Sequence, residues 1–95
     1  MEVQHDRERQ QFYIPLEQGE AGLWYHMFSD DIMDIRHTEV PRFARGQGLA
    51  DALVRAALAY AREHQFNLIV TCPFAKRWLA KHPEESPPGT VFRSI

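Results

Sequence analysis

Cysteine occurs once in these 95 residues, at Cys72, so no internal disulfide framework can hold the chain. A lone thiol also fits a reducing compartment. Apolar runs are short, and none nears the roughly 20 residues that span a bilayer. The opening "MEVQHDRERQQ" is charged and polar, without the apolar centre of a secretory leader. Basic charge is not in excess either. Formal net charge is −2, whereas a protein built to coat nucleic acid carries a basic footprint. No pair among the five histidines has zinc-ligand spacing, so no metal is expected. These absences lead to the expectation of a soluble cytoplasmic domain that works without nucleic acid, membrane or metal.

What is present suits one small globular domain: 44% hydrophobic residues and 12% aromatics. Charge is unevenly spread. Residues 1–40 hold three Arg against nine Asp and Glu, while residues 41–83 hold seven Lys and Arg against two acids. A basic second half suggests a local anion site there. The edge residues do not decide between a monomer and a weak homodimer.

Alternation in "QQFYIPL" (10–16) predicts a strand, "EQGE" a turn, and "AGLWYHMFS" (21–29) the second strand of a hairpin. "IMDIRHTEV" (32–40) predicts a third strand with Met33, Ile35, His37 and Glu39 on one face, ended by Pro41. Residues 49–64 predict a helix burying Leu49, Leu53, Ala56, Ala57 and Tyr60, with Asp51 paired to Arg55 outside. "NLIVTC" (67–72) is a buried strand, Pro73 opens a further helix over 74–82, and "TVFRSI" is a short edge strand or loose. Strand, helix and buried strand make a βαβ unit, so strands 32–40 and 67–72 run parallel with a right-handed crossover. Their C-terminal ends meet at one edge, where ligands bind in open α/β sheets. The expected class is α/β (α+β): antiparallel N-terminal strands joined to a βαβ unit and a following helix.

Only five glycines occur, yet two of them, Gly46 and Gly48, stand one residue apart in "EVPRFARGQGLADALV" at the start of that helix. Helix N-termini expose four unpaired N–H groups and roughly half a positive charge. Glycines there let phosphate oxygens come close, and Arg42 and Arg45 add full charges. A Walker loop would need a lysine that is missing. A dinucleotide fingerprint would need a third glycine where Asp51 stands. What remains is Arg45-Gly46-Gln47-Gly48-Leu49-Ala50, the pattern R-x-x-G-x-A.

This loop resembles the pyrophosphate loop of the GNAT N-acetyltransferases, [QR]-x-x-G-x-[GA]. Taken with "HTEVP" before it and "VTCPFAKRWLAKHPE" after it, the chain is similar to the small YjdJ-type GNAT-like family, over about residues 8–84 of a single domain, 1–95. The resemblance implies a minimal GNAT-like fold whose two parallel strands splay apart. It implies acetyl-CoA or CoA as ligand, its pyrophosphate on the backbone N–H groups of Arg45, Gly46, Gln47, Gly48, Leu49 and Ala50. The pantetheine arm would lie between the strands and pair with the main chain of Glu39 and Val40. Arg42, Lys76 or Arg77 would meet the adenosine phosphates. The acceptor would be an amine, of a protein or peptide among the options, at a site that is open, completed by a partner or missing, because helices and strands that shape the acceptor pocket of full-length members are absent.

Acetyl transfer needs an amine freed of its proton, a stabilised oxyanion and a protonated leaving thiolate. The resemblance puts His37 and Cys72 close to the thioester. His37 is the candidate base. Cys72, at the start of the following helix, is the candidate acid or a transient acetyl acceptor. Many GNAT enzymes protonate the thiolate with a tyrosine; the matching position here is Trp78, which cannot. A CoA-binding module without turnover is therefore the alternative to an enzyme.

Overall fold

The computed structural model describes residues 2–94; Met1 and Ile95, both within the expected domain, lie outside the described residues. Among the described residues six strands run in sheet order as in sequence: β1 (Gln4–Asp6), β2 (Gln11–Pro15), β3 (Glu20–Ser29), β4 (Ile32–Glu39), β5 (Asn67–Val70) and β6 (Val91–Phe92). The first four are antiparallel in turn, and β4, β5 and β6 are mutually parallel. Helix α1 (Leu49–Glu63) connects β4 to β5, and α2 (Pro73–Lys81) leads from β5 towards β6. The mixed sheet and its βαβ unit match the class expected from sequence. β6 settles the question left open at the C-terminus: Val91 and Phe92 pair with Ile69 and Val70.

One face of the sheet is apolar and covered. Phe12, Ile14, Ala21, Leu23, Tyr25, Met33 and Ile35 are buried there together with Leu49, Leu53, Val54, Ala57, Leu58 and Ala61 of α1. The buried seam of α1 runs through Val54, Leu58 and Ala61. Ala56 and Tyr60, expected inside, are only half-buried at its margin. The expected Asp51–Arg55 pair forms, with Nε to Oδ2 at 3.1 Å. α1 stops where Gln65 takes φ 58 and the Phe66 N–H reaches back to Ala61 O at 2.9 Å, closing the last turn as a glycine usually does.

β1 falls where sequence reading assigned no element. Its three residues are polar, but the His5 ring stacks on Phe12 with centroids 4.0 Å apart and its Nε2 meets Tyr25 Oη at 2.7 Å. Burial lowers the His5 pKa from its ordinary value, with Arg7 acting in the same direction.

The feature that shapes the functional edge is a β-bulge. Trp24 pairs with His37 but Tyr25 pairs with Ile35, so Arg36 is an extra residue in β4. One inserted residue reverses the facing of everything beyond it. Thr38, opposite the buried Leu23, therefore continues the Ile35 face. His37 and Glu39 turn to the other side of the sheet, correcting the expectation that they share a face with Met33 and Ile35.

Candidate functional site

Parallel pairing of β4 with β5 ends at Ile35 and Val70. There the N–H groups of Thr71 and Cys72 both converge on Ile35 O, at 2.9 and 3.0 Å. β4 runs on to Glu39, while the chain beyond Val70 veers into α2 through Pro73. The two strands thus part at their C-terminal ends, as expected, and one edge of β4 is left without a strand.

Facing that edge is the loop that starts α1. A single 3₁₀ turn, Arg42–Ala44, follows Pro41. Gly46 and Gly48 then take φ 82 and φ 77, left-handed values that a residue with a Cβ adopts only at a cost of about 1 kcal/mol or more. A Cβ on either would meet nothing within 4 Å, so the backbone there lies bare. Gly48 occupies the N-cap position without a side-chain cap, and the first amide bonded back to it is that of Ala52, to Gly48 O at 3.0 Å. Among the described residues, the N–H groups of Gly46, Gln47, Gly48, Leu49 and Ala50 have no backbone partner. Their unpaired donors stand at the positive end of a 15-residue helix, a geometry that favours negative charge.

Loop and strand edge enclose one cleft of about 660 Å³, within the range of small-molecule sites. His37, Thr38, Glu39 and Val40 form one wall, Ala44, Arg45, Gly46 and Gly48 with Leu49, Ala50 and Asp51 the second, and Phe74 and Arg77 of α2 the third. Most residues singled out in the sequence meet here. Four do not border it. Lys76 is turned away, its Nζ donating to Arg93 O at 2.7 Å beside a second hollow that also includes Phe92. Arg42 and Gln47 are exposed next to the loop. Cys72 stands at the N-cap position of α2, without a side-chain capping bond, and is buried, with Sγ 3.4 Å from Thr38 Oγ1. Thr38, not Cys72, borders the cleft.

Arg45 is folded back, Nε donating to Val40 O at 3.1 Å, which ties the loop to the end of β4. Asp51 would oppose an anion at this helix start, but both its oxygens are engaged. Trp78 Nε1 donates to Oδ1 at 2.6 Å and Arg55 Nε to Oδ2 at 3.1 Å. The Trp78 bond, then Arg55, holds the Asp51 carboxyl below its ordinary pKa against the opposing effect of burial. Thr38, Phe74 and Asp51 were not singled out as cleft residues from sequence. Thr38 becomes visible only once the bulge is known; the other two follow from their place on the first turns of helices.

A splayed parallel pair beside a bare glycine loop at a helix start defines an acetyltransferase-type fold. The family model described as GCN5-related N-acetyl-transferase matches residues 11–87. The chain is 36% identical over 83 residues to Protein NATD1 of Homo sapiens, covering 85% of this chain and 74% of that protein. Protein NATD1 of Gallus gallus is 35% identical over 85 residues, covering 87% and 77%. The solution structure of a GCN5-like protein from Staphylococcus aureus superposes with a TM-score of 0.71 at 27% identity, covering 99% of this chain and 89% of that one. The chain belongs to the GCN5-related N-acetyltransferase family. No helix among the described residues is long and apolar enough to cross a membrane.

Proposed function

We propose that this chain binds acetyl-CoA in the cleft and transfers its acetyl group to an amine. One observation carries the reading: the free edge of β4 and the unpaired amides of Gly46 to Ala50 face a single cavity. The diphosphate lies on those amides, with Arg77 on the opposite wall and Arg42 alongside supplying charge. The amide-bearing arm runs along Glu39 and Val40 as an added strand. Lys76 is the least suited of the three cations, being held by Arg93 O.

The thioester then comes to the apex of the splay, beside His37 and Thr38. His37, exposed and stacked on Trp24 with centroids 5.5 Å apart, takes the proton of the attacking amine. A C–N bond forms to the acetyl carbon, the C–S bond breaks, and the thiolate takes a proton. Thr38 Oγ1 presents that proton, with Cys72 Sγ behind it as the second member of a relay.

The second reading, a CoA-binding module without turnover, draws support from Trp78. It is 6% exposed and its only N–H is held by Asp51, so it offers the thiolate no proton. Calorimetric titration with CoA tests both readings, and the absence of binding removes both. Release of free thiol from acetyl-CoA across a panel of amines separates them.

A further inference from the structure

The face of the sheet away from α1 carries a patch adjoining His37 that acetyl-CoA does not occupy in this reading. Gln11 pairs with Trp24, Trp24 with His37, and Gly22 with Glu39, so these residues share that face across β2, β3 and β4. Gln11 is fully buried, with 0% of its surface exposed. Its Nε2 donates to Glu20 Oε2 at 2.6 Å, and its Oε1 has no partner among the described residues. Turning the amide round would press oxygen against carboxylate, so the orphan atom is an acceptor. A Cβ at Gly22 would stand 2.7 Å from Gln11 Nε2 and 2.8 Å from the Trp24 ring, so carboxamide and indole both lie over this glycine. No cation of the protein pairs with Glu20 among the described residues.

A carboxylate, an unsatisfied carbonyl oxygen and an indole face form a set rich in acceptors and poor in donors. An alkylammonium complements it: N–H groups to Glu20 and Gln11 Oε1, and charge against the ring. β2 lies two strand spacings from β4, about 10 Å. We propose that the acceptor is an aliphatic amine carrying a second ammonium about 10 Å from the nitrogen that is acetylated. This rests on the acetyl-transfer reading above. The near nitrogen gives its proton to His37 and forms the C–N bond; the distal one stays protonated on Gln11, Glu20 and Trp24. Free polyamines and peptides with two lysines share this chemistry. Because the carboxamide and the Trp24 ring crowd together over Gly22, the ring shifts aside as the ammonium enters.

The test is calorimetry of spermidine, butylamine, and peptides with one or two lysines, each titrated into the protein with and without CoA, followed by thiol-release kinetics. Spermidine is expected to bind at least tenfold more tightly than butylamine, and Glu20→Gln to weaken spermidine about tenfold, narrowing that ratio, while leaving CoA unchanged. Gln11→Met removes an unsatisfied buried acceptor together with the donor to Glu20 Oε2, so its melting temperature should change little while spermidine binding falls. That combination is not expected of a purely structural glutamine. The peptide pair shows whether the second cation is read on a free polyamine or on a protein. Equal binding of spermidine and butylamine, or an unchanged ratio in Glu20→Gln, overturns the proposal while CoA binding stands. Loss of CoA binding in the wild type overturns the acetyl-transfer reading instead.

Discussion

Trp78 Nε1 donates to Asp51 Oδ1 at 2.6 Å, joining the interior of α2 to the first turn of α1. The bond engages Asp51, the acid in the first turn of α1 beside the bare glycine loop, and Arg55 lies 4.9 Å above the same indole. Trp78→Phe keeps most of the packing but frees the carboxylate oxygen. Stability should fall by about 1–2 kcal/mol, and CoA affinity by roughly threefold as the charge swings towards the cleft. Adding Asp51→Asn should restore affinity without restoring stability. If CoA binds Trp78→Phe as it binds the wild type, Asp51 is not held away from the anion by this bond.

Gly48 offers a cleaner probe of the cradle, because another glycine matches it away from the site. Gly19, in the β2–β3 turn, has φ 78 against 77 for Gly48, and a Cβ on either would touch nothing within 4 Å. Alanine at either position should therefore cost about 1 kcal/mol in denaturant unfolding, for the same backbone reason. Only Gly48→Ala should weaken CoA, since its methyl projects into the space given to the diphosphate. Gly48→Glu, which adds charge, should abolish binding. Equal CoA affinities for the two alanine variants would remove the loop from the binding site.

His37 and Cys72 separate by position. His37 borders the cleft, and His37→Ala should lower kcat by about a hundredfold or more if it is the base. Cys72 reaches the cleft only through Thr38, 3.4 Å away. Cys72→Ala and Thr38→Val should therefore show similar, smaller losses, and the double variant no further loss. Full activity in both single variants would leave Cys72 as packing and end the relay.

The order of elements from β2 to α2 was legible because each carries its own periodicity: alternation in "QFYIP", three- and four-residue spacing from Leu49, an unbroken apolar run at β5. The loop was legible because its glycines are rare and its helix is clear. What sequence hid was long-range. β1 is a polar tripeptide that becomes a strand through one histidine packed on Phe12 and Tyr25. The bulge at Arg36 has no signature in residue type, yet it decides that Thr38, not His37, faces the helices. Lys76 and Arg77 are adjacent in sequence, and only the fold shows one tied to Arg93 O and the other in the cleft.

His5 and Tyr25, whose Nε2 and Oη meet at 2.7 Å, each make stability depend on pH, at opposite ends of the scale. Burial lowers the His5 pKa from 6.5, so the unfolded chain binds the proton first, and stability present above pH 6.5 is lost as pH falls below it. Burial, reinforced by Tyr60, raises the Tyr25 pKa from 10.0 to about 12. There the unfolded chain loses its proton first, so stability declines as pH rises from 10 towards 12. Denaturant unfolding across this range should show a plateau with two falling limbs. His5→Phe keeps an aromatic ring against Phe12 and should flatten the limb just below pH 6.5. Tyr25→Phe should flatten the alkaline one. If the His5→Phe curve runs parallel to the wild type through the acid limb, the His5 ring is not what holds β1 against the sheet.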